Sequence, residues 1–148
     1  MKTSKLLAFL MFAISILTFS ACSVEDNNQD GSLIVDDVSY EYEGYISQGH
    51  TGIYLEIYIT NGKELTLVIP SKEIDELNVG DIIDLDEFYV RNYGSSLDQD
   101  YDETGGTLYI MDKKEQSITI KIEDLTIENG KGVQHKIKGL ITLSITGE

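Results

Sequence analysis

The segment IYLEIYITNGKELTLVI, residues 53–69, limits the fold more than any other part of the chain. Ile53, Leu55, Ile57 and Ile59 fall on one side, and Tyr54, Glu56 and Tyr58 on the other. Leu65, Leu67 and Ile69 repeat the pattern after Asn61-Gly62. Successive side chains of a strand point to opposite faces, so this period of two predicts two half-buried strands. Asn-Gly between such runs is the strongest short hairpin signal. The apolar pattern also fixes the parity of the turn. A two-residue loop pairs Thr60 with Lys63, sets Tyr58 opposite Leu65 and mixes the faces. Pairing Thr60 with Glu64 sets Ile59 opposite Leu65 and Ile57 opposite Leu67. One residue of slip flips every side chain, so the hairpin requires an odd loop or a bulge, with Gly62 at positive φ.

The same period recurs downstream and upstream. Val38, Tyr40 and Tyr42 alternate with Ser39, Glu41 and Glu43. DIIDLDEFYV (81–90) reads as one strand after a tight turn at Gly80, and TLYIM (107–111) as another after Gly105-Gly106. SITIKI (117–122) runs into LTI (125–127) with a change of parity, which predicts a bulge near Glu123-Asp124. KIKGLITLSI (136–145) turns Ile137, Gly139, Ile141, Leu143 and Ile145 inward, and Gly139 marks a close backbone approach or a bend. Only Ser71–Leu77 reads as helical, one or two turns capped by Ser71, with Ile74 and Leu77 on the core and Pro70 ending the strand before it. Strands every ten residues or so, without βαβ alternation, predict an all-β fold: an antiparallel β-sandwich or small barrel with at most one short helix.

Residues 1–21 have the form of an export signal. Lys2 and Lys5 give a positive start, Leu6 to Phe19 an apolar run, and Ser20-Ala21 the small residues before a processing point. The run of about 14 residues is shorter than the ~20 a helix needs to span a bilayer. Loss of the two lysines turns the net charge of −15 into −17. So acidic a chain lacks the basic face that nucleic acid or anionic lipid demands. Cys22 is the sole cysteine and has no intrachain disulfide partner.

Phe19-Ser20-Ala21-Cys22 resembles the lipobox of bacterial lipoproteins, with Phe19 where leucine is usual. The resemblance implies that Cys22 becomes the first mature residue and carries a diacylglyceryl group on its sulfur. Two or three acyl chains exceed what stable anchoring needs. Ser23-Val24-Glu25-Asp26 resembles the acidic tag that follows the cysteine in surface lipoproteins of Bacteroidota, which implies an outer-membrane location facing outward. Residues 22–32 then form an acidic, flexible tether and residues 33–148 the β domain. IVDDVSYEYEGYI, LNVGDIIDL, GGTLYIMDKKEQSITIKI and HKIKGLITLSI, which together cover most of residues 33–146, look like small all-β lipoproteins of Bacteroidota. That family is mostly of unassigned activity, so the resemblance implies a fold and a place, and no chemistry.

Candidate chemistry is sparse. Asp98, Asp100, Asp102 and Glu103 place carboxylates at near-alternate positions, as Ca²⁺ loops do. The helix–loop–helix pattern is broken at its sixth and twelfth positions, occupied by Glu103 and Tyr109, so a solvated acidic loop is the plainer reading. Tyr54, Glu56 and Tyr58 form an aromatic and acidic platform on which a sugar or a protein could dock, while cross-strand tyrosine pairing is the structural alternative. His50 and His135 lie near loops and are too few for a structural zinc site. Ser47 or Thr51 beside His50 lacks a nucleophile elbow. No catalytic residue is assigned and no enzyme is expected. The expectation is a lipid-anchored outer-membrane binding or accessory module with a protein or glycan partner at the surface. An adhesin or pilus-like subunit, or a hydrolase, stands as the alternative.

Overall fold

The computed structural model describes residues 31–95 and 101–146. Ten strands form one curled sheet: β1 (Ser32–Val35), β2 (Val38–Tyr40), β3 (Tyr42–Gly49), β4 (Gly52–Ile59), β5 (Glu64–Pro70), β6 (Ile82–Ile83), β7 (Tyr89–Gly94), β8 (Tyr101–Lys114), β9 (Ser117–Asn129) and β10 (Gln134–Thr146). The all-β expectation holds, and of its two forms the curled sheet is the barrel-like one. Neighbours follow the order β6-β8-β9-β10-β3-β4-β5-β7, with the β1–β2 hairpin laid on the outer half of β10.

The expected all-antiparallel pairing has one exception, β10 beside β3, which is parallel over Ser144–Thr146. The reason is parity. The path β3-β4-β5-β7-β8-β9-β10 is an up-and-down series of odd number, so its first and last strands run the same way when the sheet curls round. Within that series β7 and β8 are the one pair of neighbours that come alongside each other without ladder pairing among the described residues. Glu103 of β8 bridges this seam: its Oε2 accepts the Val90 N–H of β7 at 2.8 Å. Farther along β8, β6 covers the edge, pairing Ile82 with Tyr109 and Ile83 with Leu108.

The β4–β5 hairpin has the odd loop that the apolar pattern requires. Ile59 N–H donates to Lys63 O and Gly62 N–H to Ile59 O, leaving Thr60, Asn61 and Gly62 as a three-residue loop with Gly62 at φ 82°. The register is two residues from the expected one: Ile57 faces Leu65 and Leu55 faces Leu67. A shift of two keeps every side chain on its face, so the hydrophobic pattern cannot choose between these registers. The bulge at Glu123-Asp124 is present, two residues of β9 opposing Lys138 alone between the Leu125–Ile137 and Ile122–Gly139 pairs. Gly139 lies where β1 crosses β10, and a Cβ there would stand 2.5 Å from Ser32 O. Ile137, Ile141 and Leu143 of β10 join Leu33, Ile46 and Leu67 in the enclosed core.

Two expectations need correction. Residues 81–90 are not one strand: Ile82–Ile83 pair with β8 and Tyr89 onward with β5, at opposite ends of the sheet path, so a turn closed by Glu87 N–H to Asp84 O separates them. The helix shrinks to a single 3-10 turn, Ile74–Glu76. Ser71 does not cap it; its φ is 59° and its N–H donates to Thr51 O. Gln48 Oε1 instead accepts the Ile74 N–H, and Lys113 Nζ donates to the carbonyls of Ile74 and Leu77 at 2.9 Å. At the start of the described residues, Gly31 N–H reaches Leu140 O and Ser32 opens β1. Residues 1–30, with the expected export signal and Cys22, lie outside the described residues.

Candidate functional site

The outward face of β3, β4, β5 and β7 brings Tyr45, Tyr54, Glu56, Tyr58, Glu64 and Arg91 onto one surface. Tyr54, Glu56 and Tyr58 share the outward side of β4, as the alternation predicts, but the structure divides them into two groups. Tyr54 is committed internally. Its ring packs on Gly49, where an added Cβ would lie 2.3 Å from Cε2, and its hydroxyl is 2.8 Å from Thr51 Oγ1. Arg91 covers the ring at 5.3 Å from its centroid. A bulge in β7 delivers that guanidinium: Arg91 is the extra residue between the Thr66–Asn92 and Leu67–Val90 pairs, and bulges commonly re-aim a side chain in this way. Outward-facing Val68 lies in register between Tyr54 and Tyr89 and is fully buried.

Tyr58 is the open end of the platform, 43% exposed. Its β3 partner is Glu43 and its β5 partner Glu64, and Glu56 precedes it by two on the same face. Tyr45, diagonal to it on β3, meets its ring edge-on at 6.1 Å and 64°. Burial first, then the negative charges of Glu56 and Glu64, raise the Tyr58 phenol above its ordinary value. Glu56, Glu64, Thr66, Arg91 and Asn92 line a shallow hollow of about 430 Å³ beside the ring, open to solvent. Within it, Thr66 Oγ1 donates to Glu64 Oε1 at 2.9 Å. The alternation in the sequence points to β4 alone. Tyr45, Glu43, Glu64 and Arg91 join through cross-strand register and a bulge, neither of which a single strand's pattern reveals.

A second polar cluster closes one end of the curled sheet. Asp36 sits in the two-residue β1–β2 turn, where it and Asp37 both take positive φ. Its Oδ2 lies 2.6 Å from His135 Nδ1, and its Oδ1 accepts the Lys136 N–H. Burial works to raise the Asp36 carboxyl, but the bonds from His135 and Lys136 outweigh it and hold the group below its ordinary value. His135 Nε2 stands 3.4 Å from the Tyr101 hydroxyl, and Tyr93, Tyr101 and His135 pack ring against ring at 5.0–5.6 Å. His135 is therefore not a loop histidine in solvent: it opens the inward row of β10, with a side chain 17% exposed. The carboxylate–imidazole–phenol order has the outward form of a proton relay. Its rings fill the space between them, and the chain of bonds ties the β1–β2 hairpin to β10 and β8. Tyr93 is enclosed, and its hydroxyl alone among the buried side-chain polar atoms of the described residues has no hydrogen-bond partner.

The remaining candidates separate. Asp98 and Asp100 lie outside the described residues. Asp102 and Glu103 are consecutive in β8 and so point to opposite faces, with Glu103 engaged at the seam and Asp102 in register with Glu128. The described half of the expected calcium group is thus not brought together, and among the described residues no cluster of three or more His, Cys, Asp or Glu is arranged to hold a metal. His50 is exposed in the β3–β4 turn, apart from His135. Ser47 lies on β3 opposite Tyr54, and Thr51 Oγ1 is held by the Tyr54 hydroxyl. Comparison of the chain with protein-family models, curated proteins and solved structures finds no match.

Proposed function

We propose that this chain is a lipid-anchored, non-enzymatic binding module of the outer membrane, held by acyl groups on Cys22 and presenting the tyrosine- and glutamate-rich outer face of β3–β5 and β7 to a partner at the cell surface. The lipobox-like Phe19-Ser20-Ala21-Cys22 and the acidic residues behind it support the anchor and its place. The observation that carries the binding role is the Tyr45–Tyr58 corner, two rings standing on a sheet face beside an open polar hollow. A tether of residues 23–30, fully extended, reaches at most ~28 Å, enough to hold such a face clear of the lipid headgroups.

Two measurements on the native protein test this reading. Mass spectrometry of the N-terminal peptide should find Cys22 acylated, and Cys22→Ser should move the chain from the membrane fraction to the soluble one. A pull-down from solubilised outer membrane should recover the same defined partner with wild type and with Thr142→Ala, on the exposed side of β10, and lose it with Tyr45→Ala/Tyr58→Ala. A free thiol at Cys22 in the membrane-bound native protein, or equal recovery by all three chains, contradicts the reading.

A further inference from the structure

The chain has few cations, and three of them rest on its own tyrosines. Lys63 Nζ stands 5.0 Å from the Tyr93 ring centroid, the Arg91 guanidinium 5.3 Å from that of Tyr54, and Lys121 Nζ 5.5 Å from that of Tyr109. A cation within about 6 Å of an aromatic face is attracted by the ring's quadrupole, and more so where water is partly excluded. The Tyr45–Tyr58 corner has the same ring chemistry, an exposed face and more negative charge around it, yet among the described residues no cation of the chain lies over either ring. Glu43 and Glu64 flank Tyr58 in register on both sides and Glu56 follows the same face; none of the three is in a salt bridge among the described residues.

Resting on the binding role proposed above, we propose that the Tyr45–Tyr58 corner with Glu43, Glu56 and Glu64 is a receptor for the lysine or arginine side chain of an extended basic peptide segment. The two rings meet at 64° and form two walls of a corner, and the carboxylates supply the opposite charge at its rim. The shape of the surroundings favours a peptide over a small free cation. The site is an open sheet face, and the hollow continuing from it, walled on its far side by Arg91, offers Asn92 as a hydrogen-bonding group for a backbone. An extended peptide places alternate side chains on one side at ~7 Å intervals, matching the spacing along the strands beneath. The net charge of the chain draws such a partner in and makes the association sensitive to salt.

The test is a nitrogen-15 NMR titration of the full chain in detergent micelles with four probes: a capped hexapeptide alternating lysine and glycine, its glutamate–glycine counterpart, tetramethylammonium chloride and calcium chloride. The lysine peptide should shift the amide signals of Glu43–Tyr45, Glu56–Tyr58 and Glu64, and the glutamate peptide should shift none of them. Tyr58→Ala should weaken binding about fivefold or more while Tyr58→Phe stays within about twofold, since the ring and not the hydroxyl attracts the cation. Glu56→Gln/Glu64→Gln leaves the rings in place and should weaken binding as well. The proposal is overturned if tetramethylammonium binds as tightly as the peptide, if calcium occupies the three carboxylates and displaces it, or if Tyr58→Phe loses as much as Tyr58→Ala. Absence of any shift with the lysine peptide also overturns it. In that case the loss of the membrane partner in Tyr45→Ala/Tyr58→Ala still decides separately whether this face binds.

Discussion

Replacing Tyr93 by Phe removes one oxygen and leaves the ring where it is. The oxygen is enclosed and lacks a hydrogen-bond partner, whereas the ring packs on Tyr101 at 5.3 Å and His135 at 5.0 Å under the Lys63 ammonium. A buried polar group left unsatisfied costs about 1–3 kcal/mol. Taking the oxygen away leaves a void of roughly 10–15 Å³, which at ~24 cal/mol per Å³ costs about 0.3 kcal/mol. Tyr93→Phe should therefore stabilise the domain by about 1–2 kcal/mol, raising Tm by ~3–8 °C for a domain of this size. Urea denaturation followed by circular dichroism measures it, with the midpoint rising and the slope unchanged. Tyr93→Ala, which also loses the ring contacts, should cost ~3–5 kcal/mol. Burial, ahead of the Asp36 charge, also holds the Tyr93 phenol above its ordinary value. The folded chain then keeps this proton after the unfolded chain has lost it, so the contribution is fully present below pH ~10 and is lost as pH rises beyond it. The Phe variant should flatten that alkaline limb. A loss of more than about 1 kcal/mol in Tyr93→Phe would refute the reasoning, because it would mean that an internal water satisfies the hydroxyl.

Two further outcomes follow from the same geometry and a third from the net charge. Glu103→Ala removes the acceptor of the Val90 N–H across the β7–β8 seam and should cost about 1–3 kcal/mol, with faster hydrogen exchange at Val90, while Glu103→Gln keeps most of both. The Asp36 carboxyl is held below its ordinary value, so its contribution is present above the unfolded value near ~4 and is lost as pH falls through the folded one. Asp36→Asn should flatten the acid limb of the stability curve at a neutral-pH cost under about 1 kcal/mol, because the carboxylate is half exposed. Added salt, and divalent cations above all, should raise Tm by screening the repulsion within so acidic a chain, and a flat or falling response in a salt series would count against that.

What is legible in the sequence and what is not divide along a physical line. Alternation is a local property, so β4, β5 and β10, the parity of the Thr60–Gly62 loop and the bulge at Glu123-Asp124 can be read directly. Absolute register cannot, because a slip of two residues changes no face. The break within 81–90 is hidden because Ile82, Ile83, Leu85, Phe88 and Val90 are apolar enough for one strand, and only their pairing with different partners, β8 for Ile82–Ile83 and β5 from Tyr89 onward, separates them. β1 is too short to show a period, and its pairing with β10 spans a hundred residues. The candidate site shows the same limit. Tyr54, Glu56 and Tyr58 are visible as one strand's outward side, but Tyr45, Glu43 and Glu64 come from neighbouring strands. The separation of Tyr54 from Tyr58 depends on Gly49, Thr51 and the bulge that aims Arg91. His135 reads as a loop residue because its partner, Asp36, lies 99 positions away.

The most direct test of the proposed function places a photo-crosslinking side chain at Glu56, on the tyrosine–glutamate face, or at Thr142, on the exposed side of β10, in the full-length chain expressed in intact cells. Irradiation should give one defined adduct from position 56, none from position 142, and none from position 56 once Tyr45 and Tyr58 are both alanine. Equal adducts from the two positions, or an adduct from position 142 alone, would contradict the proposal that the domain meets its partner through that face.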